Sequence, residues 1–250
     1  MYAARIAELL EPFLREANDQ RLTANDALYR HISTYIDILL RWNARINLTA
    51  VRDPEEIVTR HFGESLFAAR HLFPKVCPVP SVPALSEAEG SPVVRDFDVA
   101  FDTVTDQPLA ATARVADLGS GAGFPGIPIK LWAPQVALTL IESSHKKATF
   151  LREVTRALTL TDINIQNARA ETLPPGAFDV VTLRAVERFA NILETAAALL
   201  APSGSLALLI SSSQLDTARS THPHFSWRPP LPIPQSQSRH LLIGQPESRK

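Results

Sequence analysis

The run Asp117-Leu118-Gly119-Ser120-Gly121-Ala122-Gly123-Phe124-Pro125-Gly126 sets a carboxylate ahead of glycines at alternate positions. Glycines so spaced let the chain turn sharply and let a ligand lie close against the main chain. The apolar residues of Val115-Ala116 lead in, so the run reads as a loop between a strand and a helix. Nucleotide-type ligands bind at such loops, outside the carboxyl ends of parallel strands. Two ligand chemistries fit. From Gly121 the residues match G-x-G-x-x-G, a dinucleotide pattern. From Asp117 they match acid-x-G-x-G-x-G, the loop that holds S-adenosylmethionine. A carboxylate at Asp117 repels a pyrophosphate but attracts the ammonium and sulfonium of the methyl donor. Pro125 and Pro128 also disfavour the tight helix start that a pyrophosphate needs. A purely structural turn is the third reading of so short a pattern.

Further polar residues fall at the ends of strand-like runs. Val136-Ala137-Leu138-Thr139-Leu140-Ile141 is apolar and rich in β-branched residues, as a buried parallel strand is. It delivers Glu142 about twenty residues past the glycines, where an acid can accept both hydroxyls of an adenosine ribose. Ser143 or Ser144 then caps a helix that carries Lys146 and Lys147 in its first turn. Asp162 to Gln166 alternates like a strand, and Arg169-Ala170-Glu171 follows in a loop placed to meet the adenine. Phe178 to Leu183 forms another strand, which brings Arg184 to the same rim.

These elements imply a doubly wound sheet. From Arg114 onward strands and helices alternate, which predicts a mostly parallel, Rossmann-like α/β sheet with helices on both faces. Ser205 to Ile210 and Arg239 to Ile243 are further strands, and Pro229 to Pro234 mark an edge or loop. Ahead of the sheet, Ala7, Leu10 and Leu14, then Ile32, Tyr35, Ile36, Leu39 and Leu40, recur at helical spacing. Asp53-Pro54 starts a further helix as N-cap and first helical residue. The expected organisation is a helical region at 1–74, an irregular proline-rich acidic insert at 75–113, and the ligand-binding core at 114–250.

The whole pattern resembles the RsmG/GidB family of 16S ribosomal RNA guanine-N7 methyltransferases. Trp42 to Ala50, Arg52 to Ile57 and Arg60-His61-Phe62 look like that family's head. Asp117 to Pro128, Ile141-Glu142-Ser143 with Lys146-Lys147, Arg169-Ala170-Glu171 and Arg184-Ala185-Val186 match its core in order. The resemblance implies a class I methyltransferase fold with an N-terminal helical extension and S-adenosylmethionine as cofactor. It implies 16S rRNA or a small-subunit precursor as partner, and Gly119, Phe124, Ala170, Glu171 and Arg184 as donor contacts. Asp117, Gly121, Gly123 and Glu142 join that set from the loop reading. Arg60, His61, Lys146 and Lys147 are candidate RNA contacts, with a solvated face balanced by Glu55, Glu56 and Glu64 as the alternative. Guanine N7 has an in-plane lone pair and no proton, so no catalytic base is expected and none stands out. Two departures are visible. The family usually carries Phe-Leu-Asp-Ser where this chain has Phe62-Gly63-Glu64-Ser65, and a Lys-Gly pair where Ser211-Ser212-Ser213 follow Ile210. An NAD-dependent oxidoreductase and a non-catalytic RNA-binding relative remain the alternatives.

Composition is compatible with this reading. The chain has 250 residues, 45% of them hydrophobic, enough for a real core. Its single cysteine, Cys77, excludes an internal disulfide framework and a cysteine-based zinc cluster. No second ligand sits near His61 at metal spacing, so no metal is expected. A charged amphipathic start is neither a signal peptide nor a membrane span, and a cytoplasmic monomer without membrane contact is expected. Basic and acidic side chains number 25 and 26, although RNA-binding surfaces usually carry a basic excess. The imbalance is regional: Glu87, Glu89, Asp96, Asp98, Asp102 and Asp106 crowd the insert, and the remainder is mildly basic.

Overall fold

In this computed structural model residues 2–15, 26–74, 112–184 and 189–247 are described. The expected insert lies outside them except for residues 112 and 113, and Cys77, Ala185 and Val186 lie outside them too. The first part of the chain is helical: α1 (Ala3–Leu14), α2 (Asp26–Asn43), α3 (Pro54–Ile57), a π-helix (Val58–Gly63) and α4 (Glu64–Leu72). Asp53 caps α3 as expected, its Oδ1 accepting from the Glu56 N–H at 2.8 Å, with Pro54 in the first turn.

Strands β1 (Arg114–Leu118), β2 (Ala137–Ile141), β3 (Ile163–Gln166), β4 (Phe178–Arg184) and β5 (Leu200–Ser211) alternate with α5 (Gly126–Trp132), α6 (His145–Ala157) and α7 (Phe189–Leu199). Then come α8 (Leu215–Thr221), β6 (Phe225–Trp227), β7 (Leu231–Pro232) and β8 (Arg239–Pro246). The sheet runs β3-β2-β1-β4-β5-β8-β6, with β7 beside β8. The pairs from β3 to β5 are parallel, and β8 is antiparallel to β5, β6 and β7. The sheet is thus the mostly parallel α/β sheet that the alternation implied. The strand-like run at 239–243 is the start of β8, and the proline run brackets the two-residue β7 at an edge, where missing N–H groups do least harm. The pattern did not announce β6.

The two faces of the sheet are covered differently. On one face, α7 and α8 pack Leu193, Ala196, Leu199 and Ala218 against Leu118, Val181 and Leu208. On the other, Ile127 of α5 and Phe150 of α6 share one apolar cluster with Ile6, Ile32, Tyr35, Ile57 and Phe62 of the head. Head and sheet therefore bury their apolar surface against each other. Between them Trp42 Nε1 donates to Glu153 on α6 at 2.9 Å. Among the described residues no helix is long and apolar enough to cross a membrane.

Candidate active site

Sheet order reverses direction between β1, which leads to β2, and β4, which leads to β5. The crevice outside the strand ends at this switch is where open α/β sheets bind ligands. The glycine loop lies there. The Gly119 and Ser120 N–H groups donate to the Ile141 carbonyl at 2.9 and 3.1 Å, which ties the loop to the end of β2. Glu142 then bridges two turns: Oε2 accepts from the Gly121 N–H at 2.9 Å, Oε1 from the Ser144 N–H at 2.7 Å. Ser144 occupies the N-cap of α6 without a capping bond from its side chain. Asn167, which drew no attention in the sequence, fastens the same corner by donating to the Glu142 and Ser143 carbonyls at 2.9 and 3.0 Å.

Asp117 faces inward. It is fully buried, and its Oδ1 accepts from Thr182 Oγ1 at 3.0 Å while Oδ2 accepts from the Gly126 N–H at 3.1 Å. It holds the two ends of the loop together. Burial pushes its pKa up to about 7, against the pull of those hydrogen bonds and of Arg184. Gly121 and Gly123 have φ of +54° and +83°, the left-handed region that glycine adopts without strain. A Cβ at Gly121 would meet only the Gly119 carbonyl, at 3.6 Å, so ligand atoms can approach the backbone there. A Cβ at Gly123 would strike the Tyr35 hydroxyl.

That collision exposes a partner missed from the sequence, where Tyr35 was one apolar position of a helix. Its hydroxyl donates to the Ala122 carbonyl inside the loop. Its ring stacks on Phe124 with centroids 5.3 Å apart and planes 5° apart. Phe62 meets Phe124 edge-on at 5.0 Å, and His61 stacks on it at 4.9 Å. Phe124 is thus buried among rings from the head.

His61, expected among the RNA contacts, also turns inward. Its Nε2 is 2.7 Å from Thr49 Oγ1 and its Nδ1 is 3.0 Å from Nη2 of Arg184. A guanidinium only donates, so Nδ1 must accept and the ring must be neutral. Burial, then the charges of Arg184, Arg60 and Arg239, lower its pKa to about 3. Arg60 does lie outside, paired with Glu56 at 2.7 Å. Lys146 is exposed and Lys147 half-buried at the start of α6.

Glu64 corrects the reading of a solvated acidic face. Glu55 and Glu56 are exposed, but Glu64 is only 2% exposed. It lies between Arg184 at 3.2 Å and Arg239 at 2.6 Å. Arg184 also donates to the Arg60 carbonyl at 2.6 Å, 124 residues away along the chain. Gly63, which departs from the family's Phe-Leu-Asp-Ser, has a packing reason: a Cβ there would come within 2.7 Å of the Phe13 ring. Ala170 and Glu171 form a short 3-10 turn, Ala170 buried and Glu171 exposed. Among the described residues no group of three or more metal-ligating side chains occurs.

A family model for rRNA small subunit methyltransferase G, GidB, matches residues 28–77 and 100–229. The chain belongs to this family. The GidB match passes over residues 78–99, inside the stretch expected to be an insert. A ribosomal RNA small subunit methyltransferase G from Xanthomonas euvesicatoria pv. vesicatoria is 38% identical over 173 residues, 69% of this chain and 64% of that protein. The alignment therefore spans just under two thirds of that relative. The enzyme of the same name from Xanthomonas campestris pv. campestris is 33% identical over 222 residues, 84% of this chain and 82% of its own. Among solved structures, a predicted O-methyltransferase from Agrobacterium tumefaciens aligns at 24% identity with a TM-score of 0.48, over 55% of this chain and 75% of that one.

Proposed function

We propose that this GidB-family chain transfers a methyl group from S-adenosylmethionine to N7 of a guanine in 16S rRNA, free or in a small-subunit precursor met in the cytoplasm. The observation that carries this reading is the acid-led glycine loop at the switch point between β1 and β4, with Glu142 bonded to its Gly121 N–H. The residues present suit the methyl donor. Gly119 is exposed and Gly121 open, so main chain is free to meet the ligand. Glu142 has a second lone pair on each oxygen for the ribose hydroxyls. Ala170 and Glu171 would flank the adenine, and Gly119, Gly123 and Phe124 would shape the methionine end. Asp117 would hold the loop and favour a cationic ligand in its charged form.

When bound, S-adenosylmethionine supplies a methyl group activated by the sulfonium. The attacking N7 carries no proton, so the chain has none to remove. Its work is to hold the two reactants in line, a positioning effect of up to roughly 7–11 kcal/mol in the ideal limit. Arg184 would act from the rim, anchored away from the sulfonium by its bonds to the head. Arg60, Lys146 and Lys147 would meet phosphates, while the inward seat of His61 takes it out of that set.

Calorimetric titration with S-adenosylmethionine, S-adenosylhomocysteine and NAD tests the reading, beside Gly119→Arg as a blocked loop. Saturable binding of both adenosyl ligands, lost in the variant and followed by methyl transfer to small-subunit RNA, is expected. Binding of NAD alone would point to an oxidoreductase. Adenosyl binding without transfer would leave a non-catalytic relative.

A further inference from the structure

The cluster around Glu64 holds two guanidiniums on one buried carboxylate. Oε1 of Glu64 meets Nη2 of Arg239 at 2.6 Å, and Oε2 lies 3.2 Å from Nη2 of Arg184. The three side chains are 2%, 28% and 11% exposed. They come from three separate elements: α4 in the head, the start of β8, and the carboxyl end of β4. Among the described residues, every hydrogen bond and ion pair of the Arg184 guanidinium runs through Nη2, to the Arg60 carbonyl, His61 and Glu64. One edge of the guanidinium is therefore tied to the head. The carbon at its centre lies 5.9 Å from the Phe124 ring centroid, against the glycine loop.

This arrangement fixes a charge that would otherwise swing. An arginine side chain has several rotatable bonds, and a free guanidinium at the rim would sample the space into which a sulfonium must come. Like charges at that range are costly where water is excluded. Glu64 removes the freedom by attraction. Arg239 takes the second carboxylate oxygen and so fixes the direction from which Glu64 faces Arg184.

We propose that Glu64 and Arg239 are positioning residues that act on methyl-donor binding through Arg184. The proposal rests on the donor reading above. It is tested on the full chain by the affinity for S-adenosylhomocysteine, with the thermal midpoint of each ligand-free variant measured alongside. Glu64→Gln and Arg239→Gln are each expected to weaken binding about tenfold, by loss of one partner of a buried charge pair. Glu64→Asp, which keeps the charge, should recover part of the loss. The double variant Glu64→Gln/Arg184→Gln should bind no more weakly than Arg184→Gln alone, because neighbours acting through one group are not additive. Should Glu64→Gln fail to fold, the more exposed Arg239→Gln carries the same cycle with Arg184→Gln. Lower midpoints with wild-type affinity would make the cluster a mere dock between head and core and overturn the proposal. Additive losses in the double variant would overturn it as well. A wild-type chain that binds no adenosyl ligand would sink the donor reading first, and this proposal with it.

Discussion

Two walls meet at Phe124, and they are held by different forces. The loop wall is made of backbone N–H groups and acids at neighbouring strand ends: Gly119 and Ser120 on Ile141, Gly121 on Glu142, Gly126 on Asp117. These bonds form once β1 and β2 pair. The head wall is made of stacked rings and a shared carboxylate, and its contacts span 87 residues from Tyr35 to Ala122 and 124 from Arg184 to Arg60. It forms only when the whole chain is in place. The shape of the loop is thus local, whereas its backing is tertiary. A substitution in the head can therefore alter a ligand site that it never touches.

The largest effect is expected where a substitution makes the two walls collide. Gly123→Ala would put a methyl group against the Tyr35 hydroxyl at a φ of +83°. Strain and overpacking together should cost about 3 kcal/mol or more, read from urea unfolding. An alanine there with wild-type stability would mean that Tyr35 does not press on the loop. Within the head, Gly63→Leu should cost about 1–3 kcal/mol, since its Cβ would lie 2.7 Å from Phe13. Combined with Phe13→Ala, the loss should be smaller than the sum of the two single losses, because the same space is emptied and filled. Strict additivity would show that the two residues do not compete for that space.

The same division between local and tertiary contacts decided which parts of the molecule were legible in the sequence. Strands β1, β2, β4 and β5 announced themselves by apolar runs ending in polar residues, since a doubly buried strand has no other way to be built, and the edge strand β3 by its alternation. Asp117, Glu142 and Arg184 were singled out because they lie at the ends of such runs. Tyr35 and Glu64 were not, for a physical reason: a helical period reports which face is buried but not what the face meets. Tyr35 at an apolar position looks the same whether its hydroxyl is idle or supports a loop 87 residues away. Glu64 was read with Glu55 and Glu56 as part of a solvated face, and only tertiary structure shows it between two arginines. Arg239 opened a strand without any signal that its charge was spoken for. His61 was read as a candidate RNA contact, and its type alone could not say that it stacks on Phe124 and meets Thr49 and Arg184.

A milder change sharpens the contrast. Tyr35→Phe keeps the ring stack on Phe124 and removes only the hydrogen bond to Ala122. The carbonyl loses one buried partner, so stability should fall by about 1 kcal/mol. S-adenosylhomocysteine affinity should fall only a few-fold, because the bonds of the loop wall remain. A loss as large as that of Gly123→Ala would mean that the hydroxyl, and not the rings, carries the head's support.

The smallest net effect in the wild-type chain comes from the two titrating groups, one in each wall, whose contributions oppose each other. His61 has its pKa lowered from 6.5 to about 3 by burial and three arginines. Below 6.5 the unfolded chain binds a proton that the folded chain refuses, so this group lowers stability as pH falls towards 3. Asp117 has its pKa raised from 3.8 to about 7, chiefly by burial. Between those values the folded chain holds a proton that the unfolded chain releases, so this group raises stability as pH falls and loses the gain as pH rises through 7. From about pH 4 to 6.5 the two slopes have opposite sign, and their sum is nearly flat. Urea midpoints across that window, each taken relative to wild type, separate them. Asp117→Asn should leave the acid loss from His61 uncovered, and the variant should weaken progressively on acidification. His61→Gln should do the reverse, gaining on wild type as pH falls. Two variants that both run parallel to wild type would mean that neither wall buries a titrating group strongly enough to feel its neighbours.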